Sequence, residues 1–154
     1  MSITSLVVDL DTGNSKDFDF SSPRRRRMLE RTVTVLLLII AAIHLLPILG
    51  FLGAERISSL YQVELADRNI EILMRHRAVL FGILGAFFAY AAFNAPLQLI
   101  AFTMASISIV AFLYLGFSVG DYNAAIRTVI IADVFALVCL VGAISAYWFK
   151  AKNS

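Results

Sequence analysis

Five side chains that ionise or transfer protons stand inside or directly beside the long apolar runs of this sequence. They are His44, Arg75, His76, Arg77 and Asp133. An ionisable residue within a membrane span is a functional-site hypothesis that requires a partner. A histidine, an arginine and an acid along one track are the groups that a proton relay or a ligand site would use.

Asp133 is the acid whose partner can be argued from its depth. It lies shortly after Thr128, where the last apolar run begins, at roughly 7–8 Å of depth for 1.5 Å of rise per residue. Side chains lean toward the helix N-terminus, so its carboxylate points toward the level of the RHR triplet at 75–77. We nominate Arg75 as its partner and Arg77 second, because they differ by about 200° around a helix. Such a pair is either a structural staple or part of a ligand or proton site.

His44 stands near the middle of the first apolar run. With His76 and Asp133 it would line a polar track in the outer half of a helical bundle, as a proton relay requires. The alternative is structural: His44 donates a hydrogen bond to a backbone carbonyl freed by Pro47, whose nitrogen carries no hydrogen. The residues alone leave both interpretations open.

Other chemistries lack their residues. A haem needs axial ligands that converge on one iron, and the two histidines here differ in depth. Zinc needs three or four converging ligands, and the chain has a single cysteine, Cys139. The sequence contains no CxxC, GxSxG, HExxH or phosphate-binding glycine loop. We therefore predict no catalytic residue, metal or cofactor, and favour a protein that is not an enzyme.

Four apolar runs carry these residues. The 154 residues are 60% hydrophobic and 16% charged, with a mean hydropathy of +0.82, whereas soluble domains are about half apolar and about a quarter charged. About 20 helical residues cross a hydrocarbon core. Short connections make neighbouring helices antiparallel, so we predict an all-α membrane protein, an up-down-up-down bundle of four transmembrane helices. The predicted spans are Thr32–Leu52, Ala78–Phe93, Leu97–Val119 and Thr128–Phe149.

The connections carry helix signals of their own. Apolar residues recur at helical spacing after the first span, which predicts a short amphipathic helix in the membrane interface between helices 1 and 2. Asp67 and Asn69 are suited to cap the next helix. Gly120 is suited to end the third helix, and Asp121 or Asn123 to start the fourth.

Small residues recur along one stripe of the second helix and near the end of the fourth. Small residues allow helix backbones to approach closely in lipid, where packing drives association. We predict that they face other helices. The residues are Gly82, Gly85, Ala86, Ala89, Gly142 and Ala146.

The ends of the chain are polar. We predict a mobile N-terminal tail over 1–31 that ends in a polybasic segment, a transmembrane domain over 32–149 and a short basic tail over 150–154. The positive-inside rule then predicts both termini in the cytoplasm of a bacterial inner (plasma) membrane. The net charge of +2 is too small to indicate nucleic acid. Anionic lipid headgroups would hold the polybasic arginines, at roughly 1 kcal/mol each: Arg24, Arg25, Arg26 and Arg27.

Two segments, RNIEILMRHRAVLFGILGAFFAYAAF at 68–93 and GDYNAAIRTVIIADVFALVCL at 120–140, resemble a family of small four-span bacterial membrane proteins that are broadly DoxX-like. The resemblance covers roughly 33–149, with MRHR and IADV as its most specific pieces. It implies a four-helix membrane fold and carries no established activity. Some members are labelled phosphopantetheine adenylyltransferase, but that soluble, nucleotide-binding α/β enzyme needs a histidine-based phosphate motif that is absent here.

The first functional hypothesis is a non-enzymatic integral membrane protein with a structural or accessory role. Its partners would be the lipid bilayer and either a second copy of the chain or a larger membrane complex. The alternatives are a small proton-linked transporter that uses His44, Arg75 and Asp133, and a quinone-associated component of a membrane oxidoreductase.

Overall fold

The computed structural model describes residues 23–64 and 67–152, and within these ranges it is helical, without a β-strand. The prediction of an all-α chain is confirmed. The elements are α1 (Pro23–Leu45), a 3₁₀ segment (Leu46–Leu52), α2 (Ala54–Tyr61), α3 (Arg68–Ala92), α4 (Ala95–Val119) and α5 (Ala124–Lys152).

Four candidate spans are long and apolar enough to cross a membrane. The predicted number is therefore confirmed, but three of the four spans start earlier than predicted by four or more residues. Large apolar side chains cover their outer faces, among them Ile83, Tyr114 and Val138, which are 62%, 71% and 66% exposed. Lipid can solvate such faces, whereas water would not. The spans are Arg24–Leu52, Arg68–Ala92, Ala95–Val119 and Ala124–Lys152.

The start of α1 differs from the sequence prediction. The helix begins at Pro23 rather than near Thr32, because proline suits a first helical turn and arginine is a good helix former. Arg26 also pairs with Glu30 one turn later, at 3.7 Å. The polybasic run is thus helical, while the part of the predicted tail at 1–22 lies outside the described residues.

The 3₁₀ segment interrupts the first span near its far end. Pro47 stands in the first turn of this segment, where its missing N–H leaves no donor for a continuing α-helix. Gly53 ends the segment with φ of 142°, a conformation that glycine adopts freely. The chain turns there into α2, whose buried side chains are Ile57 and Tyr61.

The cap signals position the later helices. Asp67 is the N-cap of α3, and its side chain accepts a hydrogen bond from the Asn69 N–H at 2.8 Å. Gly120 ends α4 with φ of 65°. The Asn123 side chain accepts from the Ile126 N–H at 2.9 Å at the start of α5. Of the two alternatives for that start, the structure selects Asn123.

The core lies where α1 packs against α3 and α5, and α4 packs against the same two helices. The 3₁₀ segment packs on α3, and α2 packs on the 3₁₀ segment and touches α5. This arrangement brings the far end of the first span, α2 and the starts of α3 and α5 to one end of the bundle. The largest fully buried side chains include Leu37, Ile40, Phe88, Ile109 and Leu140.

Candidate functional site

A cavity of about 330 Å³ opens at that end of the bundle. Its wall is largely apolar, and five polar or ionisable side chains face it. A concave, mostly apolar pocket with a few convergent polar groups is the usual form of a ligand site. The apolar wall includes Ile43, Leu49, Leu60, Phe81, Phe112 and Val129. The polar side chains are His44, Tyr61, Arg77, Thr128 and Asp133.

Arg77 is the cation of this cavity. Its guanidinium carbon lies 5.0 Å from the centroid of the Tyr61 ring and 5.9 Å from that of the Phe81 ring. Cation–π attraction to the two rings orients the side chain. In the described part of the chain the guanidinium makes neither an ion pair nor a hydrogen bond. Its N–H donors are therefore oriented but remain available.

Asp133 supplies the opposite charge from α5 and is only partly exposed. No basic group of the described ranges lies within 4.0 Å of its carboxylate. Arg77 and Asp133 thus line one cavity without pairing with each other. A charged group that is sheltered from water and left without a partner is costly, so both groups are suited to a ligand that answers them.

Arg75 is not the partner of Asp133, which corrects the nomination made from the sequence. Its Nη1 lies 3.3 Å from Glu71 Oε1 on the same helix. Its Nε donates to the Phe51 carbonyl at 3.1 Å, and the guanidinium carbon lies 5.4 Å from the Phe51 ring centroid. The last carbonyls of a helical segment lack partners within the helix, so the Phe51 carbonyl is free to accept this hydrogen bond from Arg75. His76 is exposed and does not line the cavity.

His44 is 2% exposed and connects α1 with α4. Its Nδ1 lies 2.9 Å from the Ile40 carbonyl oxygen, and its Nε2 lies 3.2 Å from Ser108 Oγ. Because a carbonyl only accepts, Nδ1 donates, and in the neutral ring Nε2 accepts from the Ser108 hydroxyl. The backbone acceptor is Ile40, one turn before His44, rather than Ile43, whose carbonyl faces the missing N–H of Pro47. Both ring nitrogens of His44 already take part in hydrogen bonds, so the side chain is held in place and contributes mainly its surface to the cavity wall.

Asn123 joins the end of α2, where the cavity-lining Tyr61 lies, to the start of α5. Its Nδ2 donates to the Tyr61 carbonyl at 2.7 Å and to the Gln62 carbonyl at 3.1 Å. Its Oδ1 caps α5 through the Ile126 N–H. One side chain therefore holds the end of α2 against the start of α5. Sequence reasoning found the cap but missed the tether, which depends on residues some 60 positions apart.

The small residues of α3 pack mainly against the first span. A Cβ at Gly82 would meet the Ile48 side chain, and one at Gly85 would lie 2.8 Å from Leu45 Cγ and 3.0 Å from the Ala41 carbonyl oxygen. Ala89 packs against the core, whereas Ala86 is exposed.

In α5, Ala146 is buried, and a Cβ at Gly142 would lie 3.3 Å from Leu36 Cδ1. These contacts are all within the chain.

The basic residues at the start of α1 lie beside the end of α5. Lys150 Nζ lies 3.5 Å from Glu30 Oε1, the oxygen that also faces Arg26. Arg24, Arg26 and Arg27 are exposed, and Arg25 is half-buried. This end of the bundle is therefore basic and opposite the cavity.

The chemistry of the cavity depends on the few polar groups of its lining. Within 23–64 and 67–152 no three potential ligands converge as a metal site would require. Cys139 is buried in the core, apart from the cavity lining. The groups that face the cavity are one cation, one acid, hydroxyls and an imidazole already in use.

Comparison with protein-family models, with curated proteins and with solved structures finds no match to this chain. The DoxX-like resemblance therefore stays a prediction, and function has to be argued from the cavity.

Proposed function

We propose that this chain is a small integral membrane protein that binds an amphipathic small molecule in the cavity and does not transform it. The observation that carries the proposal is the pair of opposite charges, Arg77 and Asp133, that face one apolar cavity without an ion pair to any described residue. An amphiphile places apolar atoms against the wall and polar atoms on the two charges. The cost of sheltering both charges is then offset on binding.

The proposed setting is a bacterial inner membrane with both termini in the cytoplasm and helices that alternate in direction. The Glu30–Lys150 contact supports it, because it brings the start of α1 beside the end of α5. The exposed arginines beside that contact suit an anionic leaflet. The DoxX-like family belongs to the same proposal and is supported by the four spans.

Cysteine labelling tests this orientation. With Cys139 replaced by alanine, we expect a membrane-impermeant maleimide to label Ser59→Cys on the exposed face of α2 in intact cells. The exposed Lys152→Cys should react only after the membrane is opened. Labelling of position 152 from outside would contradict the proposed orientation.

Self-association remains a prediction with weaker support than the sequence indicated. The argument for self-association used the small residues of the second and fourth spans, which are α3 and α5. In the structure Gly82, Gly85 and Gly142 face Ile48, Leu45 and Leu36 of the same chain. Residues that already fill intrachain contacts are not free to form a dimer seam. A structural or accessory role in a larger complex does not depend on them.

A carrier function is the second candidate, and a specific observation favours it. Arg77 and Asp133 line the same cavity without an ion pair to any described residue, and ionisable groups of this kind are used in proton-coupled transport. His44 lines the cavity as well, with both ring nitrogens in hydrogen bonds. Reconstitution with a pH-sensitive dye tests the carrier function. We expect Asp133→Asn to abolish proton flux while the protein remains folded. A wild-type protein without flux would exclude a proton-linked carrier and leave a binding protein.

Native mass spectrometry of the full chain, purified in a mild detergent, tests the binding function. We expect one bound amphiphile per chain. Ala132→Phe, which fills the cavity from α5, should remove it. Ala111→Phe, at an exposed position of α4 outside the cavity lining, should retain it. Absence of any adduct, or equal retention in both variants, would contradict the proposed function.

A further inference from the structure

We propose that the bound amphiphile is a phospholipid with a zwitterionic phosphoethanolamine headgroup, its phosphate on Arg77 and its ammonium on Asp133. The proposal rests on the binding function above and names the ligand of that same cavity. It commits to a membrane lipid because the cavity wall is largely apolar.

The two charges determine the headgroup. A purely anionic headgroup would satisfy Arg77 but would bring negative charge into the cavity that Asp133 shares. A purely cationic head would do the reverse to Arg77. A headgroup with one negative and one positive charge can pair with both Arg77 and Asp133. Charge-assisted hydrogen bonds to phosphate and carboxylate are among the stronger polar contacts in proteins. The pair therefore selects a zwitterion whose cation can donate hydrogen bonds.

Arg77 is prepared for a phosphate. The Tyr61 and Phe81 rings orient its guanidinium, and no acceptor of the described residues occupies its N–H groups. The planar fork of a guanidinium matches two phosphate oxygens at once. Because the side chain is already held by the rings, little further rotamer freedom is lost on binding.

The size and rim of the cavity fit a lipid that enters by its headgroup. A volume of about 330 Å³ is sufficient for a headgroup and the adjoining glycerol but too small for two acyl chains. Leu46 and Leu49 belong to the lining and are 60% and 49% exposed. They form an apolar rim along which the acyl chains can leave toward the surrounding bilayer.

Lipid selectivity of the delipidated full chain tests the proposal by native mass spectrometry. We expect phosphatidylethanolamine to bind about tenfold or more tightly than phosphatidylglycerol, because only the first answers Asp133. Phosphatidylcholine should bind less tightly than phosphatidylethanolamine, since its trimethylammonium has no N–H to donate. Glycerophosphoethanolamine, the same head without acyl chains, should not bind over the same concentrations.

Two variants assign the contacts. Asp133→Asn should reduce the preference for phosphatidylethanolamine over phosphatidylglycerol to near unity. Arg77→Gln should weaken both lipids together, because both carry a phosphate. Circular dichroism melting shows whether each variant is folded. If neither folds, the lipid series on the wild-type chain still decides, since its selectivity needs no variant.

Equal binding of phosphatidylethanolamine and phosphatidylglycerol to the wild type would overturn the zwitterionic assignment. Tight binding of glycerophosphoethanolamine would overturn the assignment to a membrane lipid, because this compound carries the same head without acyl chains. If no phospholipid binds while Ala132→Phe still displaces another amphiphile, the lipid assignment fails and the binding function stands. If Ala132→Phe displaces nothing, both fail.

Discussion

Gly85 is the position where a single methyl group should disturb the bundle most clearly. A Cβ there would lie 2.8 Å from Leu45 Cγ and 3.0 Å from the Ala41 carbonyl oxygen. Neither atom is the free end of a flexible side chain, so α1 and α3 have to move apart. Overpacking of this kind costs about 1–3 kcal/mol. Alanine is the better helix former by about 1 kcal/mol, so we expect Gly85→Ala to lower the free energy of unfolding by about 1 kcal/mol.

Gly142→Ala is the matched control on α5. Its Cβ would meet only Leu36 Cδ1, at 3.3 Å, and this methyl group can rotate away. The gain in helix propensity then dominates, and we expect Gly142→Ala to be neutral or slightly stabilising. The opposite signs follow from the contacts alone, because both substitutions add the same atom inside a helix.

Unfolding of the detergent-solubilised protein by increasing fractions of sodium dodecyl sulfate, followed by circular dichroism, measures both variants. We expect the midpoint of Gly85→Ala below that of the wild type and the midpoint of Gly142→Ala at or above it. If Gly85→Ala is as stable as Gly142→Ala, the close approach of α1 and α3 at this position is wrong.

Three further predictions concern polar contacts. Asn123→Ala should lower the free energy of unfolding by about 1 kcal/mol through the lost cap of α5 and should speed hydrogen exchange in α2. Asn123→Asp keeps the cap acceptor and loses only the donor to α2, so it should speed exchange in α2 alone. Equal exchange in the wild type and both variants would show that Asn123 does not hold α2. His44→Phe and Ser108→Ala should each cost about 0.6–1.7 kcal/mol, and the double variant should cost less than their sum if the 3.2 Å hydrogen bond is real. Glu30→Gln should cost less than about 1 kcal/mol, because the Glu30 side chain is 46% exposed in both pairs, although that of Lys150 is only 17% exposed. A larger loss in urea or heat denaturation would contradict this expectation.

The number of spans and several of their ends were predictable because they depend on local chemistry. Apolar length identifies a span, and Asp67, Gly120 and Asn123 act on their own neighbours in sequence. The early start of α1 was not predicted, since a basic run was interpreted as a tail. Arginine is compatible with helix, and Pro23 supplies a first turn.

The choice between Arg75 and Arg77 was beyond the sequence for a physical reason. The helical argument that one of them faces inward agrees with the structure, which directs Arg77 into the cavity. Arg77 rather than Arg75 faces the cavity because the Phe51 carbonyl of the 3₁₀ segment accepts a hydrogen bond from Arg75. The 3₁₀ segment at the end of the first span has no distinct hydropathy pattern, so the sequence did not indicate that its last carbonyls would be free to accept hydrogen bonds. Tyr61 was missed as a ring partner for the same reason, because its contact with Arg77 arises only after α2 folds back. The contact with Phe81 is local, since Phe81 follows Arg77 by four residues on α3, and helical spacing alone could have indicated it.

The single amide of Asn123 makes two local events inseparable. Its nitrogen holds the end of α2, while its oxygen closes the first turn of α5, the helix that bears Asp133. If α2 swings outward and takes this side chain with it, the first turn of α5 unwinds in the same step. Any ligand that displaced α2 on leaving the cavity would therefore unwind the helix nine residues before the acid, and a spectroscopic probe at residue 124 would report that movement.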